Sequence, residues 1–148
     1  MDIRLSAPAA GWSYPRRMPG QRIHPGGWTV PPGYSHAIAS GGGRLLFVSG
    51  QVPIDEQGRV VPGDFEAQVV KVFENLATVL AAGGASFEQV IRFGYFVVGL
   101  DDEKLAVVRR VRTRMVVVQE PPASTLIGVQ RLYHADVLVE IEAVAELA

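Results

Sequence analysis

Two amphipathic helices, set among more apolar strand than they can cover, are the strongest constraint on this chain. Asp64 is a good N-cap, and behind it Phe65, Val69, Val72, Leu76 and Leu80 recur at helical spacing to about Ala82. Gly83-Gly84 ends that run. Asp101-Asp102 opens a second helix predicted to reach about Val118, with Leu105, Val108, Val111, Met115 and Val118 inward and Pro121-Pro122 as its stop. Between them, residues 88–98 (EQVIRFGYFVV) form a predicted long strand, apolar on both faces. Strand candidates at 34–40 and 45–49 precede the first helix, joined by a predicted hairpin turn at Gly41-Gly42-Gly43. Two more, near 123–131 and 136–146, follow the second. The order β-β-α-β-α-β-β is an α+β layer: a mainly antiparallel or mixed sheet with two helices on one face. The other face is then left apolar and uncovered, and the economical expectation is a closed homo-oligomer.

At 148 residues and 48% hydrophobic, the chain can bury one ordinary core. A net charge of -1 gives no overall pull toward nucleic acid or an anionic membrane. With no cysteine there is no disulfide, thiolate ligand or cysteine nucleophile, which suits a reducing compartment. No apolar run approaches the ~18–20 residues of a membrane helix. MDIRLSAPAAGWSYPRRM lacks the apolar centre of a signal peptide, so a cytoplasmic protein is expected. Residues 1–33 differ in kind, with Pro8, Pro15, Pro19, Pro25, Pro31 and Pro32 excluding an interior helix or central strand. Trp12 and Trp28 argue against a disordered tail. The expected division is an arm, 1–33, lying on the domain or on a neighbouring subunit, and one domain, 34–148.

Chemistry-bearing residues are sparse. His24, His36 and His134 are scattered and form no metal-ligand spacing, and His134 with Asp136 reads as a solvated turn in a hairpin loop. The glycine run is followed by no Lys-Ser/Thr, which excludes a P-loop. Ser49-Gly50 stands in no Gly-x-Ser-x-Gly elbow. Arg109, Arg110, Arg112 and Arg114 are expected on a solvated helix face, with an anion or RNA patch as the alternative. Glu140 and Glu142 in VLVEIEAVA share one side of a predicted strand with Leu138 and Val144; Val137, Val139, Ile141 and Ala143 take the other. Two carboxylates on an apolar strand need partners or water. Either Arg92 or Arg131 neutralises them, or one serves as a general acid/base or holds a water. PPASTLIGV (121–129) enters a strand through a rigid corner and offers two hydroxyls, Ser124 and Thr125.

Tyr34, FVSGQVPID (47–55), Gln68 and Asn75-Leu76 in the first helix, AAGGASFEQVIRFGYFV (81–97) and PPAST…RL…VEIEAVA together resemble the RidA/YjgF family of reactive-intermediate deaminases. The likeness covers roughly residues 34 to 146. It implies a chorismate-mutase-like fold, a homotrimer with clefts between subunits, and hydrolysis of imines and enamines to a 2-oxo acid and ammonia, with no metal or organic cofactor. It places Tyr34 in the pocket, Ser49 and Gly50 along the cleft, and Glu140 at the carboxylate that positions the attacking water. Where the family carries Pro-Ala-Arg-Ser, this chain has Pro122-Ala123-Ser124-Thr125, so Ser124 stands at the substrate-carboxylate arginine and Leu126 at a cleft cysteine. A position held by asparagine in the family corresponds to about Val107. Weak or no activity on small 2-imino acids is therefore expected, with a neutral or larger imine as substrate. A non-catalytic small-molecule-binding or regulatory trimer is the alternative, and an RNA-acting translation inhibitor ranks last.

Overall fold

The computed structural model describes residues 21–27, 29, 31–118 and 120–147. The arm before Gln21 and Trp28 lie outside the described residues. The elements are β1 (Gln21–Ile23), β2 (Ala37–Ala39), β3 (Arg44–Gln51), α1 (Phe65–Ala82), β4 (Val90–Val98), α2 (Asp102–Met115), β5 (Ala123–Val129) and β6 (Val139–Leu147). The main sheet has the order β3-β6-β4-β5, with β6 antiparallel to both neighbours and β4 parallel to β5. Since β3 and β4 both oppose β6, they run the same way. The chain thus makes two parallel crossovers in succession, through α1 and then α2, each toward the same edge. The right-handed preference of such crossovers puts both helices on one face. The expected α+β layer is present.

Both helix starts follow from their caps. Asp64 accepts from the Ala67 N–H at 2.9 Å, and Asp101 from the Lys104 N–H at 2.8 Å. Along α1, Val69, Val72, Phe73, Leu76 and Leu80 are fully buried. The second helix ends sooner than expected, at Met115, and the prolines are not its stop. Val116, Val117 and Val118 are β-branched and poor helix formers. Val116 has already left the helix at φ -108 and ψ 82, while its N–H still donates to the Arg112 carbonyl.

Two expected hairpins are absent. The strands flanking Gly41-Gly42-Gly43 do not pair with each other; β2 pairs with β1, and β3 with β6. The glycine N–H groups of residues 41 and 43 instead donate to the Glu146 carboxylate, at 3.1 and 2.7 Å. Nor is the segment around His134 a hairpin loop, because β5 is an edge strand beside β4 and β6 is central. In both places the chain is adjacent in sequence but crosses to another partner. Strand β1 also falls within the predicted arm, where it forms a peripheral two-stranded ribbon clear of Pro25, Pro31 and Pro32.

The predicted alternation of the last strand holds. Val139, Ile141, Ala143 and Ala145 are buried under the helices with Phe93, Tyr95 and Val97 of β4. Glu140, Glu142, Val144 and Glu146 alternate with them toward the other face and are partly exposed. That face is apolar and open. Phe47 is 74% exposed and Leu45 and Ile127 are each 44% exposed. The register sets Phe47 beside Val144, and Phe96 between Glu140 and Ile127.

Candidate functional site

On the open face, β3 and β6 lose register. Val48 pairs with Ala143 and Gln51 with Ile141, so Ser49 and Gly50 together occupy the place of one residue. At this bulge the Glu140 carboxylate fills the space that a side chain on residue 50 would need. Gly94 makes the same room for Glu142, whose Oε1 lies 2.6 Å from where a β-carbon would stand. The two carboxylates then differ. Glu142 pairs with Arg92 at 3.0 Å, as one expected reading had it, whereas Arg131 turns to the Leu132 carbonyl. Among the described residues Glu140 has no cationic partner. Burial, and then the charge of Glu142, hold its carboxyl above the usual glutamate range. Ser49 is exposed at the bulge, and Thr125 is exposed in the row Thr125–Gly94–Glu142.

Ser124 and Leu126 alternate to the helix-covered face, beside Phe93 and Tyr95. Tyr34 is brought to them by the double proline. The Ser35 N–H donates to the Pro122 carbonyl at 2.9 Å and its hydroxyl to the Pro121 carbonyl at 2.6 Å. Tyr34, Ser124 and Leu126 thereby share a cleft of about 150 Å³ with Tyr95 and with Val108, Arg109 and Arg112 of α2. About Val107, which is partly buried against the core, there is no such cleft contact.

The α2 arginines divide. Arg110 and Arg114 reach Glu66 at 2.6 and 3.8 Å, on the solvated face where all four were expected. Arg112 is half-buried and donates to the Gly33 carbonyl at 2.6 Å, and with Arg109 it lines the cleft. It lies one turn past Val108 and next to Val111, at the edge of the buried face of α2. The histidines are also less scattered than the sequence suggests. The β1–β2 pairing sets His24 Nδ1 3.0 Å from His36 Nδ1. His134 and Asp136 remain a solvated turn, 3.8 Å apart. No group of three or more His, Cys, Asp or Glu among the described residues is arranged to hold a metal ion.

The residues singled out therefore fall into two groups on opposite faces of one sheet. Tyr34, Ser124 and Leu126 lie on the helix side; Glu140, Ser49, Gly50 and Thr125 lie on the open side. Within one chain they do not close a single cavity.

The fold is that of a small α+β family. The sequence profile described as Endoribonuclease L-PSP matches residues 29–147. A RutC family protein of Pyrococcus abyssi is 37% identical over 113 residues, 76% of this chain and 84% of its own. A Yersinia pestis structure described as a protein of unknown function of the conserved Rid protein family superimposes with a TM-score of 0.79 at 35% identity, covering 88% of this chain and all of that one. A Mycobacterium tuberculosis member of the YjgF/YER057c/UK114 family gives 0.59 at 26% identity, over 78% of this chain and 88% of its own. The chain belongs to this RidA/YjgF family, as its motifs suggested. No helix among the described residues is long and apolar enough to cross a membrane.

Proposed function

We propose that the chain hydrolyses a reactive imine or enamine in clefts that neighbouring copies of a homotrimer complete. One observation carries this reading: Glu140, alone of the neighbouring pair with Glu142, keeps a carboxylate without a cation, seated over a glycine made to fit it. Raised but ionisable, such a group can orient a water and take its proton. Water adds to the imine carbon while Glu140 accepts a proton and returns it to nitrogen. The resulting carbinolamine then loses ammonia and leaves a carbonyl. An enamine enters the same sequence after protonation at carbon. Hydrogen bonds from the Ser124 and Thr125 hydroxyls and the Gly50 backbone would hold the substrate. The opposite-face placement of the two residue groups favours a cleft in which one copy presents Tyr34, Ser124 and Leu126 and another presents Ser49, Gly50, Thr125 and Glu140.

Ser124 offers one neutral donor where a guanidinium would make two charge-assisted bonds. Losing such a charged partner costs on the order of 2–5 kcal/mol. Small 2-imino acids, whose carboxylate adjoins the reacting carbon, should therefore be poor substrates, and larger imines better ones. Ammonia release from 2-iminopropanoate generated in situ, and from bulkier imines, tests this. Full activity on 2-iminopropanoate would refute the role given to position 124. No turnover of any imine, with ligand binding unchanged in Glu140→Gln, would favour a binding protein. Among the described residues the His24–His36 contact is the feature that suits RNA cleavage, and ribonuclease activity lost in His36→Ala would establish that reading instead.

A further inference from the structure

The peripheral ribbon brings together two of the three histidines in the chain. Ile23 of β1 lies opposite Ala37 of β2, and the same register carried one step on sets His24 across from His36. Directly opposed strand residues hold their β-carbons about 4.5–5.5 Å apart, a gap that two imidazoles can close. Here Nδ1 of one ring stands 3.0 Å from Nδ1 of the other, with the rings nearly perpendicular. One nitrogen must accept, so a lone pair already points into the gap. Both residues are half-buried, so the gap is not sealed from water. The backbone beside His36 is fixed: Ser35 donates to the Pro122 carbonyl at 2.9 Å and to the Pro121 carbonyl at 2.6 Å. Arg22, on the same side of β1 as His24, has its charge offset by the Glu120 carboxylate at 3.3 Å.

The spacing selects a ligand. With metal–nitrogen bonds of about 2.0–2.1 Å, two nitrogens 3.0 Å apart subtend about 95° at the metal. That angle suits adjacent corners of a square-planar or tetragonal ion, whereas a tetrahedral ion would want them about 3.3 Å apart. Among divalent first-row metals, nitrogen sites hold copper most tightly. We propose that His24 and His36 form a two-point site for a divalent late transition metal, Cu²⁺ ahead of Ni²⁺ and Zn²⁺, with water at the remaining positions. On binding, the rings rotate so that both Nδ1 lone pairs meet the ion. The proton that bridged them passes through solvent to the far nitrogen of its own ring, so two neutral imidazoles coordinate. The site is separate from the imine chemistry proposed above but adjoins its cleft. The Tyr34 ring stands edge-on to His36, 6.2 Å between centroids, and lines the cleft with Ser124. A bound ion therefore ties β1 to β2 and steadies the segment that carries Tyr34.

Titration calorimetry and electron paramagnetic resonance with Cu²⁺, on the full chain without an affinity tag, test the site. One Cu²⁺ per chain should bind, about tenfold or more tighter than Zn²⁺, with the spectrum of a tetragonal ion carrying two nitrogen ligands. His24→Ala and His36→Ala should each weaken binding about tenfold or more, with melting temperature unchanged because the ribbon lies outside the main sheet. His134→Ala removes the remaining histidine and should leave binding as it was. Should a ribbon variant fail to fold, paramagnetic broadening of the His24 and His36 ring signals in wild type reads the same contact without substitution. Absence of stoichiometric binding, a spectrum without nitrogen ligands, or Zn²⁺ bound as tightly as Cu²⁺ would overturn the proposal. So would affinity kept in folded His24→Ala and His36→Ala, which would mark an adventitious ion only, or affinity lost in His134→Ala.

Discussion

The two faces of the sheet are built from the same strands and carry opposite chemistry. Beneath the helices the face is apolar, and its polar groups gather at one edge, where Arg109, Arg112, Tyr95 and Ser124 meet around a cleft. On the open face Glu140, Glu142 and Glu146 stand among exposed apolar groups such as Phe47 and Ile127, and Arg92 offsets Glu142. Because strand alternation keeps the faces a sheet's thickness apart, the cationic and the acidic halves cannot neutralise each other within a chain. That segregation favours a shared site, in which each half is finished by the opposite half of another copy.

The contrast can be broken most forcefully at the acid. Glu140→Gln keeps shape and removes the proposed base, so kcat for imine hydrolysis should fall by a factor of about 10²–10⁴. The fold should survive the change, because Glu140 makes no ion pair among the described residues; a matching loss of stability would mean that the carboxylate is structural. Next come the apolar positions of each face. Ile141→Ala, fully buried beneath the helices, should lower unfolding free energy by about 2–5 kcal/mol in urea titrations. Phe47→Glu should leave the circular dichroism of the subunit intact and give a monomer in sedimentation. A trimer surviving Phe47→Glu would show that this face is not the contact.

A smaller effect is expected from restoring charge to the strand. Ser124→Arg should raise kcat/KM on 2-iminopropanoate at least tenfold, and no change would refute the place assigned to Ser124. The pH profile sharpens the difference between the two glutamates. Burial and the charge of Glu142 both disfavour ionised Glu140, so its pKa is raised and activity should fade on acidification earlier than for an ordinary glutamate. Glu142→Gln removes the neighbouring charge and should move that acid limb to lower pH; a limb that stays put would assign it to another group. Smallest of all, Arg110→Ala breaks only an exposed pair with Glu66. Unfolding free energy should change by no more than about 1 kcal/mol, with ligand affinity unaltered.

What was legible beforehand depended on how local its cause is. The first helix could be read because its cap, its 3.6-residue apolar spacing and its glycine stop lie within a single stretch. The two sides of β6 were equally plain, since alternation survives whatever the strand pairs with. Pairing itself was not legible. Nothing near Gly41–Gly43 says that β3 will seek β6 about a hundred residues later. The end of α2 is not where the prolines put it, because three successive valines stop the helix first. At the site, Glu140 and Ser124 were marked by motif, but their separation by the sheet needs the register of β4, β5 and β6 together. Arg112 escaped because helical position alone cannot distinguish an arginine facing water from one reaching over a cleft edge to the Gly33 carbonyl.

Gly50 sits against the Glu140 carboxylate at the bulge of β3. It performs no chemistry, yet every substitution there puts atoms where the Glu140 carboxylate rests. Gly50→Ala would yield a folded protein, with its glutamate intact in sequence and displaced in space. A survey of relatives that scored only reactive side chains would count such a protein as active. If Glu140 is the base proposed above, the absent side chain at residue 50 is as much a marker of competence as the carboxylate it leaves room for.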